Sequence, residues 1–389
     1  MGEYQWGARK GKQCIDVVLL KQLTYEIARL TRTSVVTIDN DAKSCFDRIV
    51  MCFAMHRTQQ LGMPVKACEM LGDFLERAQY HIKTKLGVSK KSYSSTKKVP
   101  LNGPGQGNKM GPDLWKYVST VIMQVLDETN PGLLLTDHKR EREASRPIDG
   151  FVDNATAWAA KFLAELLKFA REKYSEEKAT ELLRQLIAES TELAQHWEQL
   201  LWVTGGELEI SKCFYYIVNY KFDTVGRATL RTKKELEEKG FNMKIAQSGT
   251  GKDGGIKQKD CYEAHRTLGP MICPDNENKE EAERLLTRGN KLARNLRGSK
   301  LSKQAAFTFY RSMFTSAITY SLPAVYLTRE QLEKVESQMI MAVLPKMGYN
   351  RYLPREVVFG PYEYGGIGLV SLYVAQGVYM SCQHYDSSG

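Results

Sequence analysis

At 389 residues, with 42% hydrophobic and 26% charged side chains, the chain is long enough for two or three subdomains around a sizeable core and too apolar to be disordered. Its 55 Lys and Arg against 45 acids leave a net charge of +10, which favours a polyanionic partner without proving one. The eight Cys (14, 45, 52, 68, 213, 261, 273, 382) contain no CxxC pair and no His at ligand spacing, which argues against structural zinc and for a reduced thiol set.

Residues 1–13, MGEYQWGARKGKQ, are polar and basic, without the apolar centre of a signal peptide. No run of 18 apolar residues occurs, so no membrane helix or membrane partner is expected, and an intracellular place, nucleus or cytoplasm, follows. The sequon Asn154-Ala155-Thr156 is then a coincidence of spelling.

In chain order, 12–32 carries Ile15, Val18, Leu19, Leu23, Ile27 and Leu30 at helical spacing, and SVVTID after it is a β-branched strand ending in acids at Asp39 and Asp41. The spacing predicts one helix over 42–62, closed by Gly62, and another over 63–82. Residues 83–107 hold six lysines and no acid, which suits a basic hairpin or a loop. A helix entered through Gly and Pro is predicted over 110–128, and a charged loop, DHKREREASRP, separates it from the strand-like GFVD.

The region 158–200 is predicted helical, as a hairpin whose second helix starts at Ser175. Residues 204–231 alternate apolar and polar with a Gly-containing turn, which predicts a β-hairpin. HRTLGPMICP predicts one short strand, and from 279 onward the pattern is helical and basic. Composition thus gives an α+β part followed by a helical part, with a border near 274.

Two predicted strand ends present acids, Asp41 after SVVTIDN and Asp153 after GFV. Side by side, such carboxylates share hard divalent cations, and phosphoryl transfer by a metal pair uses that arrangement. Any single Asp of this kind is more often a strand end or a helix cap. The order of the neighbouring blocks changes that reading: DAKSCFD (41–47), GPGQGNKMGPDLW (103–115), FVDN (151–154), TGGELEISKC (204–213) and HRTLGPMICP (265–274).

That order resembles the reverse transcriptases of non-LTR retrotransposons, in which these blocks are similar to motifs A, B, C and D and the primer grip. Gln5-Trp-Gly-Ala-Arg9 is similar to a fingers motif of the family, and Tyr364-Gly-Gly-Ile-Gly-Leu369 to a block late in these polymerases. The resemblance covers nearly the whole chain. It implies an α+β, right-hand polymerase with partial fingers (1–34), palm with motif A (35–62), fingers and motif B (63–130), palm with motifs C, D and the primer grip (131–273, including 158–200), and a helical thumb (274–389). The activity implied is RNA-directed DNA synthesis from dNTPs with two Mg2+ or Mn2+ ions, on an RNA template with a DNA primer, or on an RNA–DNA hybrid.

Residue by residue, the resemblance implies that Asp41 and Asp153 hold the metals with the Ala42 carbonyl, and that Phe46 rejects a 2′-hydroxyl; the alternative for Phe46 is an aromatic packed under the sheet. Gln106 and Gly107 face the incoming nucleotide or form an ordinary turn. Lys212 stands near the leaving pyrophosphate as acid or charge stabiliser, or is a solvated lysine. Arg9, Lys10 and Lys12 reach the triphosphate or template, and Leu268 and Gly269 support the primer end. Lys90 and Lys91 follow a template backbone or are merely solvated. Arg284, Arg288, Lys291, Arg294, Arg297 and Lys300 recur every three or four residues and grip duplex phosphates on the thumb.

The chain departs from the pattern at Asn154, where a second acid is expected: an amide offers one oxygen and no charge. Either catalysis is impaired or lost, leaving a nucleic-acid-binding or scaffold protein, or the site works with one anion fewer. The segment 107–112 also lacks the small hydroxyl residue before its proline. Earlier finger strands are absent or belong to another polypeptide, and no endonuclease or RNase H segment is evident.

Overall fold

The structure is a computed structural model that describes residues 4–96, 102–105, 108–130, 132–136, 143–160, 176–223, 225, 227–251 and 253–386. The chain divides into two compact units, residues 1–17 with 27–261 and residues 18–26 with 262–389, each mixing helices and strands. Among the described residues no helix is long and apolar enough to cross a membrane.

The first unit is built on β1 (Val35–Asp41), whose first four residues are all buried. It is antiparallel to β7 (Asn154–Ala160) on one side and β8 (Phe214–Val218) on the other; β6 (Ile148–Phe151) and β13 (Lys257–Gln258) complete a five-stranded sheet in the order β13-β8-β1-β7-β6. Because side chains alternate along a strand, Val36, Ile38, Ala155, Ala157, Ala159, Tyr215 and Ile217 share one face and join the core. The small alanines let α5 (Gly111–Thr129) and α6 (Glu176–Val203) pack closely there through Leu114, Val118, Ile122, Leu186 and Trp197. On β6 and β7, buried Asp149 accepts from the Trp158 indole at 2.8 Å and pairs with Arg146.

Several predicted elements change shape. The single helix expected over 42–62 is two, α2 (Cys45–Arg48) and α3 (Met51–Gln60), because Ile49 is pulled into the core and Ile49 and Val50 take extended backbone. The helix expected to 82 ends as α4 (Val65–Glu76), and Gln79–Thr84 (β2) pairs with Gly87–Ser94 (β3) as the basic hairpin, with Tyr80 and Tyr93 stacked at 5.5 Å. Residues 158–160, expected to be helical, close β7: pairing with β1 overrides the helix preference of an alanine-rich run. The first helix of the predicted hairpin, with Ser175, falls on 161–175, outside the described residues.

The 204–231 hairpin also differs. Residues 208–213 form a turn, β8 is buried on both faces, and only β9 (Tyr220–Phe222) and β10 (Ala228–Leu230) pair as a hairpin. The unit is completed by α1 (Cys14–Thr31), whose middle turns belong to the second unit, and by α7 (Lys233–Glu238), β4 (Leu133–Thr136) with β5 (Glu143–Arg146), and β11 (Lys244–Ala246) with β12 (Asp253–Gly255).

Besides residues 18–26, the second unit takes the chain from Tyr262 onward. The expected single strand is a short hairpin, β14 (His265–Arg266) with β15 (Met271–Ile272), and it belongs with the helices because the Met271 amide donates to Glu281 at 2.9 Å. The helices are α8 (Lys279–Gly298), α9 (Lys303–Phe309) continued by a π turn, α10 (Ser316–Thr319), α11 (Arg329–Met347), α12 (Arg355–Phe359) and α13 (Leu372–Asp386). Glu281, fully buried, holds Arg284 through two bonds of 2.6 and 2.7 Å.

Buried Glu336 on α11 accepts from the Leu372 amide at the start of α13 and from the Tyr310 hydroxyl, and burial pushes its pKa up to about 7 against Arg355. The unfolded chain ionises Glu336 first, so stability is full below about pH 4.5, falls as pH rises through the interval to 7, and is then level; the loss is at most about 3 kcal/mol. Urea titrations at pH 5 and pH 8 should register this fall in the wild-type chain, and Glu336→Gln should remove most of it.

Candidate active site

The register of β1 and β7 sets Asp41 directly opposite Asn154, and Phe151 pairs with Asn154 across a two-residue turn made of Val152 and Asp153. The Ala42 amide donates to the Asp153 carbonyl at 3.2 Å, so the two acids foreseen from the sequence sit on adjoining strand ends. Val152 takes a positive φ of 59°, a conformation that such turns give to glycine and that a β-branched residue rarely adopts.

The turn 207–213 closes the third side. Lys43 and Glu209 donate their amides to the carbonyls of Glu207 and Asp41, at 2.8 and 2.9 Å, around the bridge between Ala42 and Leu208. Glu207 adds an ion pair to Arg48 at 2.6 Å. This delivers Lys212, whose Nζ lies 3.4 Å from both oxygens of Asp41. Lys212 therefore meets the carboxylate itself, although the lysine is 64% exposed and the pair is correspondingly weak.

The Asp41 pKa is raised: burial outweighs Lys212, which lowers it, and Asp153 and Glu209 raise it further. Asn154 donates Nδ2 to Asp153 Oδ1 at 3.2 Å. Cys45 and Cys213 flank the acids as buried thiols pushed up to about 12 and about 11, chiefly by burial, so neither offers a thiolate. Among the described residues, no three His, Cys, Asp or Glu side chains form a metal-holding group. The donor set of Asp41, Asp153 and the Ala42 carbonyl is all oxygen and fits one hard divalent cation that takes its remaining ligands from water or phosphate. Glu209 is the further acid near it.

Phe46 is half-buried on α2, one side of its ring 3.2 to 3.7 Å from where a Cβ on Gly111 would stand. A Cβ on Gly103, at φ +73°, would meet the Phe46 carbonyl at 1.8 Å. Gly103 and Gly111 thus admit the backbone and ring of Phe46. Gln106 and Gly107, between them in sequence, lie outside the described residues.

Sequence reasoning missed the residues behind Asp153. Gln5 is 1% exposed; its Nε2 donates to Ser119 Oγ (3.0 Å) and the Val152 carbonyl (3.2 Å), and its Oε1 accepts the amides of Gly7 and Val152 (both 3.0 Å). The Trp115 indole donates to the same Val152 carbonyl. The strand-like pairing of residues 4–6 with Gly150 at 2.8 Å brings Gln5 there. A polar residue between Tyr4 and Trp6 was the available signal.

The remaining candidates are spread out. Arg9 touches the Gln5 carbonyl, and Lys12 lies over the Trp6 ring at 4.4 Å. Lys10 is exposed, as are Lys90 and Lys91 on β3. In the second unit, Leu268 (φ 48°) and Gly269 (φ 129°) form the tip of the β14–β15 hairpin, with the Tyr320 hydroxyl on the Leu268 carbonyl at 2.9 Å. Arg288, Lys291 and Arg294 are exposed on α8, and exposed Arg297 donates to Gln338 at 2.9 Å. Arg284 leaves the expected basic face because Glu281 holds it.

No family model matches the chain and no curated protein matches it. Among solved structures, telomerase from Candida albicans in complex with a fragment of telomeric RNA is similar at a TM-score of 0.33 and 11% identity, over 94% of this chain and 48% of that one. Apo telomerase from Candida tropicalis gives 0.28 and 12%, over 97% and 54%. The chain spans about half the length of these structures. At such scores the likeness decides neither topology nor chemistry.

Gly103→Ala forces a methyl group onto the Phe46 carbonyl in a backbone conformation that strains any L side chain. Thermal denaturation should show a loss of more than about 2 kcal/mol, whereas Gly240→Ala, with nothing within 4 Å and a closely similar φ of +78°, should lose less.

Proposed function

We propose that the chain is a nucleic-acid polymerase of the reverse-transcriptase type, which extends a DNA primer on an RNA template from dNTPs, with the first unit as palm and partial fingers and the second as thumb. The observation that carries this reading is the register that sets Asp41 opposite Asn154, with Asp153 in the adjoining turn and Lys212 on Asp41. It agrees with the motif order of the sequence.

Asp41, Asp153 and the Ala42 carbonyl would hold magnesium or manganese, which when bound neutralises the triphosphate and activates the primer hydroxyl. The second of the two expected ions would depend on Glu209 or on substrate phosphates, because Asn154 brings no charge. Lys212 leaves Asp41 to meet the charge that develops on the departing pyrophosphate, as an ammonium or by giving up its proton. Phe46, held between Gly103 and Gly111, blocks the space of a 2′-hydroxyl, and Gln106 and Gly107 face the nucleotide. Arg9 and Lys12 take the triphosphate or template, and Leu268 and Gly269 steady the primer end. Lys90 and Lys91, with Arg288, Lys291, Arg294 and Arg297, bind backbone phosphates without reading bases.

One observation favours a second reading, a catalytically silent nucleic-acid-binding protein of the same fold: the Asn154 amide donates to Asp153 and occupies a lone pair a cation would use. Primer extension on an RNA template with magnesium or manganese separates the two. The polymerase reading expects wild-type extension, lost by more than about a hundredfold in Asp41→Asn and increased in Asn154→Asp. Extension by neither the wild type nor Asn154→Asp, with nucleic-acid binding intact, leaves the silent protein.

The phosphate-binding assignment has its own check. Replacing Arg288, Lys291 and Arg294 by Ala should weaken binding to all sequences alike and reduce the slope of log affinity against log salt by about 2 to 3. An unchanged slope removes α8 from the interface.

A further inference from the structure

Asp153 has no rigid element of its own beneath it: it is the second residue of a two-residue turn whose first, Val152, sits at φ 59°. For a β-branched residue that conformation is disfavoured, and a free hairpin would relax out of it. What opposes relaxation is Gln5, distant in sequence. Its side-chain amide meets the Val152 peptide from both ends, accepting from its N–H at 3.0 Å and donating to its carbonyl at 3.2 Å. The amide is itself fixed by Ser119 on α5 and by the Gly7 amide, and is buried to 1% exposure. Gly7 is required for that approach, since a Cβ there would lie 2.7 Å from Val152 N.

We propose that Gln5 is a positioning residue for the acidic pair: it holds Val152 in its left-handed conformation so that Asp153 stays beside Asp41. The assignment rests on the cation-binding reading of Asp41 and Asp153, but its first consequence, a fixed turn, does not.

The test uses the full chain and Gln5→Met, which keeps volume and removes all the amide's hydrogen bonds. Hydrogen exchange is read on peptides covering 150–156 and on β8, and Mn2+ affinity is read by loss of the free-ion EPR signal. A buried hydrogen bond left unmade costs enough to change such equilibria about tenfold. In Gln5→Met the turn should therefore exchange about tenfold faster with β8 unchanged, and Mn2+ should bind about tenfold more weakly. Adding Val152→Gly, which is at ease at positive φ, should return Mn2+ affinity to within about threefold of wild type.

Unchanged exchange at the turn overturns the proposal, as does exchange that rises in β8 equally, which would make Gln5 a general structural residue. So does a Gln5→Met/Val152→Gly chain that binds Mn2+ no better than Gln5→Met. A wild-type chain that binds no Mn2+ refutes the cation-binding reading instead; the clamp on Val152 is then decided by exchange at the turn alone.

Discussion

The pairing of β1 with β7 is the constraint from which the site follows. A strand cannot slip by one residue without turning every side chain to the opposite face. Here a slip would take Val36 and Ile38, both fully buried, off the α5–α6 face. Burying such side chains contributes roughly 1.5–3 kcal/mol each, so the register is held by the core and not by the acids. The acids exploit it. At the end where the sheet opens, the same register leaves Asp41 opposite Asn154 and delivers Asp153 one step into the turn.

That placement explains the neutral residue beside Asp153 in physical terms. An acid at 154 would face Asp41 across the ladder, next to Asp153 and within the field of Glu209, with Lys212 as the nearby counter-charge. Like charges directly opposite on paired strands are destabilising. An amide removes the repulsion and donates to Asp153 as well. The strand ends are thus reconciled by Lys212 and Asn154 using the chain's own groups. The raised pKa of Asp41 reports the same balance, since burial and two acids together exceed the one lysine.

How much of this was legible varied with what each residue answers to. β1, α1 and α5 obey local rules, a β-branched run and helical periodicity, and appear where the sequence puts them. The basic hairpin was legible from Gly87 and the absence of acids. Residues 154–160, NATAWAA, have only Thr156 and Trp158 as strand formers among four alanines; they are a strand because β1 and β6 offer partners on both sides, a long-range fact. Arg284 looked like one more member of a basic face, yet Glu281 three residues earlier was a visible reason to remove it. The two aspartates were legible through spacing and order, whereas Gln5 was not, because its partners lie 114 and 147 residues away.

Valine at a turn position suited to glycine ties the turn to its surroundings. Glycine at 152 would adopt a positive φ without cost and would need no clamp to keep it there. Val152 packs its side chain against the core, and its peptide is claimed by Gln5 and Trp115. The left-handed conformation costs roughly 1–2 kcal/mol, which those contacts offset only while all of them are in place. The turn therefore has one well-populated geometry rather than several, and the conformation of Asp153 is tied through Val152 and Gln5 to the packing of α5. A strained residue is thus held in place by its supports, and the neighbour placed with it is the second carboxylate of the pair.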